Sequence, residues 1–164
     1  MEPDGRLRLL GDARVARLGL ERGSVLAGSA EQLVLADHMV GVAHARFAHF
    51  FGPGCEPGLA ELARVIRPGG TAFIVDDDWR TGPFASWLAR SSWCSWADPD
   101  RIEAFRHQQG FASTRVASEC RFDRRADLEA VLGNEFPPKL AEQLCQEHQG
   151  LVVEVHYRLY HRRY

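Results

Sequence analysis

Two histidines and a run of three carboxylates are the residues best placed to move protons in this sequence. His44 lies near the end of a short apolar run at 39–45, and His49 follows in Arg46-Phe47-Ala48-His49-Phe50-Phe51. Aromatic residues and a histidine just past the C-terminal end of a strand sit where open α/β sheets bind ligands. Phe47, Phe50 and Phe51 read equally well as core residues of the next element. Asp76-Asp77-Asp78 closes a second apolar run. Three adjacent carboxylates repel one another, so full ionisation beside a low-dielectric cleft is unfavourable. Either all three are solvated or one of them faces a substrate. Cys55, Cys94, Cys120 and Cys145 are far apart in sequence, and no paired metal-ligand spacing exists. The expectation is no metal site, and free thiols in a reducing cytoplasm.

The elements that would position these residues centre on 56–76. Leu59, Leu62, Ala63 and Ile66 recur at helical spacing, which gives one apolar helix face. Pro68 and Gly69-Gly70 are expected to stop that helix. Residues 71–75 form a short β-branched run between Gly and Asp, as in a strand covered on both faces. Before this centre, Asp4 is expected to cap a helix reaching about Leu18, with Leu7, Leu10 and Val15 as its apolar face. Strands are expected at 24–27 and 39–45. After the centre, helices are expected at 81–93, 99–109, 125–136 and 137–149. Asp98 caps the second of these, and Pro99 takes its first position. Strands are expected at 111–122 and 151–164, the last on clear alternation.

The 164 residues are 45% hydrophobic and 26% charged, with a formal net charge of −2. This fits one domain over 1–164 with a sizeable core. The charge offers no pull towards nucleic acid or an anionic membrane. Of the basic residues only Lys139 is a lysine, which reads as codon bias. No run of about 18 uncharged apolar residues occurs, so no membrane span is expected. The first residues carry no apolar signal core.

Leu59-Ala60-Glu61-Leu62-Ala63-Arg64-Val65-Ile66-Arg67-Pro68-Gly69-Gly70-Thr71-Ala72 resembles the segment leading into the fifth strand of class I methyltransferases that use S-adenosylmethionine (SAM). The resemblance runs from Glu2 to the C-terminus. It implies a Rossmann-like α/β sheet, mostly parallel, with an antiparallel C-terminal strand. Gly28-Ser29-Ala30-Glu31-Gln32-Leu33 is similar to the family's loop after the third strand, often Gly-Asp/Ser-Ala-Glu-x-Leu-Pro, which lies against the SAM adenine. Here Ser29 stands where many members have Asp, and Val34 replaces a frequent Pro. Read alone, the same segment is a plain polar turn. Glu2 is similar to the acidic residue that bonds the ribose hydroxyls at the end of the second strand. The implied cofactor contacts are thus Glu2, Gly28, Ser29, Ala30 and Glu31.

The family's Gly-x-Gly-x-Gly turn does not occur, nor does the first strand that precedes it. The resemblance therefore implies a fold incomplete at its N-terminus, with the fourth strand left as an open edge. Two readings follow. One is SAM-dependent methyl transfer to a small-molecule acceptor, the chain by itself being weak or inactive. His44, His49 and Asp76 are then the acceptor-side candidates. The other is a non-catalytic binding or scaffold protein that forms a dimer through the open edge. A nucleic-acid role has no basic stripe interleaved with aromatics to support it.

Overall fold

The computed structural model describes residues 1–48 and 52–164; His49, Phe50 and Phe51 lie outside the described residues. The elements are α1 (Gly5–Arg17), β1 (Val40–Arg46), α2 (Glu56–Val65), β2 (Ile66–Asp77), α3 (Gly82–Arg90), α4 (Pro99–Gln108), β3 (Ala112–Arg121), α5 (Arg125–Glu135), α6 (Pro138–Glu147) and β4 (Val152–Arg163). A single 3₁₀ turn, Ser92–Cys94, follows α3. The described chain forms two compact units, Met1–Phe73 with Arg162–Tyr164, and Ile74–His161. The strands make a four-stranded sheet in the order β1-β2-β4-β3, and β2 and β4 each contribute to both units. The class is α/β, with a mixed Rossmann-like sheet.

In the first unit, Cys55, Leu59, Leu62, Val65, Ile66 and Ala72 are buried, as the helical spacing in α2 predicts. The helix ends earlier than expected. Ile66 is already extended, at φ −79° and ψ 128°, and begins β2. Arg67 precedes Pro68, and a residue before proline is pushed out of the helical region, so the break comes before the Pro-Gly-Gly turn. Gly70 is needed there. A Cβ on it would stand 2.8 Å from the Gly41 carbonyl oxygen on β1 and 2.9 Å from that of Arg67. β1 is the last strand on its side of the sheet, and Val42 on it is 63% exposed.

Two expectations fail in this unit. The 24–27 strand reduces to one parallel bridge between Glu2 and Ala27. There the Glu2 N–H donates to the Leu26 carbonyl at 3.0 Å. Asp4 does cap α1, its carboxylate accepting from the Arg6 and Leu7 N–H groups. The expected apolar face of α1 is only partly covered, however: Leu7 and Leu10 are exposed, Val15 is half-buried, and no residue of the helix is fully buried.

In the second unit, Trp87, Leu128, Leu132, Phe136, Leu144 and Val153 are core residues contributed by α3, α5, α6 and β4, with Phe136 just past α5. Phe84, Trp87 and Phe136 meet edge to face, a geometry that aligns ring edge and face quadrupoles. β4 runs antiparallel to β3, with Ala117 opposite His156 and Glu119 opposite Glu154. The Asp78 N–H donates to the His156 carbonyl at 2.9 Å. Asp98 caps α4 as expected. No helix among the described residues is long and apolar enough to cross a membrane.

Candidate functional site

The candidate site is a cleft of about 720 Å³ within the first unit. Glu2, Gly28, Ser29, Ala30, Glu31 and His44 all line it. Residues predicted from three separate stretches of sequence thus share one concavity. Its floor is apolar, with Leu33, Leu35, Val40, Ala43, Leu62 and Phe73. An apolar pocket of this size with few polar groups at its rim is the usual form of a small-molecule site.

Each wall has a local cause. The Glu2 backbone is held by the bridge to Ala27 and by Arg8, whose guanidinium donates to the Glu2 carbonyl at 3.0 Å. One Glu2 carboxylate oxygen accepts from the Asp4 N–H at 2.9 Å. Gly28 has φ +150°, and a Cβ there would meet the Met1 side chain at 2.6 Å and the Gln32 carbonyl at 3.2 Å. Only glycine fits that approach. Ser29 and Gln32 close the turn with an antiparallel bridge. His44 is exposed on β1. Phe47, just past the strand, has φ +46°, a rare conformation for a bulky residue, and its ring lies 5.1 Å from the Arg46 guanidinium carbon.

The residues that hold the loop in place were not among the predicted site residues. Arg64 on α2 donates to the carbonyls of Leu33 at 3.0 Å and Leu35 at 2.8 Å, and to Asp37 at 2.7 Å. Glu61, one turn earlier, bonds Arg64 twice at 2.7 Å and accepts from the Leu33 N–H at 2.8 Å. Arg64 and that backbone N–H hold the Glu61 carboxyl down at about 2. An i,i+3 acid–base pair is visible in sequence. That the pair grips a distant loop is not.

Asp76 is not among the residues lining this cleft. It lies in the second unit, 3% exposed. Residues 70, 72, 74 and 76 are all buried, so the strand period carries Asp76 onto the covered face. Arg106, fully buried, stands 4.0 Å away with its guanidinium 5.2 Å from the Tyr160 ring. Burial pushes the Asp76 carboxyl up to about 6, against the Asp77 N–H and the Arg106 charge. Burial, with the charges of Asp76 and Glu135, pushes Asp77 up to about 7. The fully solvated reading of the three carboxylates is therefore overturned: Asp76 and Asp78 are 3% and 2% exposed. His49 lies outside the described residues. Among the described residues, no group of three or more His, Cys, Asp and Glu could hold a metal ion. All four cysteines are free.

No family model matches the chain, and no curated protein matches it either. Solved structures do. YcgJ protein from Bacillus subtilis is 17% identical with a TM-score of 0.56, over 98% of this chain and 79% of that one. A SAM-dependent methyltransferase from Aquifex aeolicus is 13% identical with a TM-score of 0.54, over 98% and 65%. The [4+2]-cyclase SpnF is 12% identical with a TM-score of 0.55, over 98% and 63%. At these identities the likeness is one of architecture, and the last of the three bears the name of a different reaction. The chain has the class I SAM-dependent methyltransferase fold.

Proposed function

We propose that the cleft seats the adenosyl part of SAM and that the chain is a cytoplasmic methyltransferase, one domain over 1–164, acting on a small-molecule acceptor. The observation that carries this reading is the convergence of Glu2, Gly28-Ser29-Ala30-Glu31 and His44 on one apolar cleft. The residues fit a nucleoside. Glu2 supplies a carboxylate for ribose hydroxyls. The turn at Gly28, where a Cβ has no room, brings backbone to the rim for the adenine edge. The leucines and Phe73 give the ring an apolar surface. When bound, SAM supplies a methyl group already activated by its sulfonium. What is left to the chain is to orient the cofactor, exclude water and, where the acceptor must lose a proton, take it. His44, which lines the cleft, and His49 are the candidates for that last role; Asp76, buried and outside the cleft, is set aside.

The test is calorimetric titration with SAM of the chain and of two variants. Weak binding is expected of a chain without the glycine-rich turn, reduced further by about tenfold or more in Glu2→Ala, the usual worth of a charged hydrogen bond. Binding should be abolished in Gly28→Val. A folded chain that takes up no SAM would overturn the reading. A second reading, a scaffold that pairs through its sheet edge, is favoured by the position of β1 and by the exposure of Val42 and Met39 at 63% and 65%.

A further inference from the structure

Three hydrogen-bonding contacts run in series through the second unit, where the chain enters α3. Asp78 Oδ2 lies 2.6 Å from Thr81 Oγ1. Thr81 Oγ1 lies 2.8 Å from His156 Nδ1. His156 Nε2 lies 2.7 Å from Glu154 Oε1. Each contact needs one proton between its heavy atoms. The hydroxyl supplies one and a neutral imidazole supplies one; an ionised carboxylate supplies none. Three contacts and two protons do not balance, so the third proton sits on a carboxyl or on the ring.

Neither carboxyl is suited to keep it. The Glu154 side chain is 58% exposed. Burial pushes the Asp78 carboxyl up, but the Thr81 hydroxyl, the Arg80 N–H and Arg158 outweigh it and hold it below the usual range. The remaining charges near the ring are committed elsewhere. On β4, Arg158 Nε is 3.5 Å from Asp78 Oδ1 and its Nη1 is 3.8 Å from Glu103 of α4. Arg80 pairs with Asp100 and Glu103 of α4. On β3, uncharged Ala117 lies opposite His156, between Arg115 opposite Arg158 and Glu119 opposite Glu154. Glu119 is paired with Arg121. At the entry to α3 the ring lies against Thr81 and uncharged Gly82, where a Cβ would stand 3.2 Å from Nδ1.

We infer that His156 is an imidazolium when all three contacts are made, and that its loss of a proton releases Glu154, leaving the ring as the Nδ1–H tautomer bonded to Thr81. Burial decides which contact breaks. Asp78 is 2% exposed, and a buried acceptor without its donor is costly. Glu154 reaches water and loses little by letting go. Proton loss therefore opens a latch on the outer face of the β3·β4 pair. It leaves Glu154 as an uncompensated negative charge directly across from Glu119, a destabilising cross-strand arrangement. The chain from Asp78 to the ring is kept, and so is the entry to α3.

Nitrogen-15 spectra of the His156 ring, recorded with the carboxyl carbons of Glu154 and Asp78 across a pH titration, test this. The expected result is two protonated ring nitrogens at low pH and an Nδ1–H neutral form above the midpoint. The Glu154 carboxyl should shift along with the ring, while Asp78 holds still. In Thr81→Val the neutral form should change to Nε2–H. A neutral wild-type ring in the Nε2–H form, or an Asp78 carboxyl that moves in place of Glu154, would overturn the inference. The wild-type spectra decide this even if Thr81→Val does not fold.

Discussion

Asp77 and Asp78 are neighbours in sequence, yet their surroundings push their protons in opposite directions. Asp78 has a hydroxyl, a backbone N–H and a guanidinium to stabilise its charge. Asp77 has only burial and two other carboxylates against it. A carboxyl raised from 3.8 to about 7 binds its proton more tightly folded than unfolded. Its contribution to stability is present below about 4 and is lost as pH rises towards 7. Asp77→Asn should therefore leave the melting temperature unchanged at pH 4 and raise it at pH 8. The expected gain is on the order of 2 kcal/mol, discounted because Asp77 is partly exposed. Asp76→Asn should act in the same direction and less strongly, since the Asp76 carboxyl is raised only to about 6 with the Arg106 charge beside it: unchanged at pH 4 and more stable at pH 8, read by denaturant unfolding. Both outcomes depend on the period-two placement of Asp76 on the covered face of β2. That placement was within reach of the sequence, since Ala72, Ile74 and Asp76 alternate. The partner was not, because Arg106 comes from a helix thirty residues on and nothing local marks it as buried.

At the scale of elements, α2 packs a core face and grips a loop with the same two turns. Replacing Arg64 with Met removes the donors to the Leu33 and Leu35 carbonyls. It should lower SAM affinity by roughly tenfold, the effect of one lost support, while the helix itself persists by circular dichroism. Glu61 adds a pH dependence of known sign. Its carboxyl is held at about 2 against an ordinary 4.5, so the clamp is intact above pH 4.5 and is lost as pH falls from there towards 2. Tyrosine or tryptophan fluorescence alone would not localise that loss. Amide exchange at Leu33, whose N–H donates to Glu61, would. Most element positions were legible from periodicity and caps: Asp4 and Asp98 cap as their types predict, and β4 appears where the alternation is cleanest. The misplacements have local causes. Ile66 left the helix early because of the proline that follows Arg67. The leucines of α1 have helical spacing but no surface to pack on, and spacing alone does not provide one.

For the whole molecule, the sheet edge is the testable feature. The chain has a mass of 18.4 kDa, and pairing through β1 would give twice that by light scattering. Val42→Lys places a charge on the exposed face of the edge strand, a common guard against strand addition. It should return a dimer to the single-chain mass without altering the melting temperature of the second unit. A monomer in the unaltered chain would dismiss the scaffold reading and leave SAM binding untouched.

The division into units does not follow the order of the chain. The last three residues, Arg162–Tyr164, belong with the first seventy-three. The Gly69 N–H donates to the Tyr164 carbonyl, and the Tyr164 N–H donates to the Gly70 carbonyl at 3.0 Å. Neither unit can therefore be obtained by a single cut. Severing the peptide after Phe73 would divide β2 in the middle and strip the first unit of its final strand segment. Splitting the protein into independently expressed halves would fail at that point. A circular permutant that joins Tyr164 to Met1 and opens in an exposed turn would keep both strands whole.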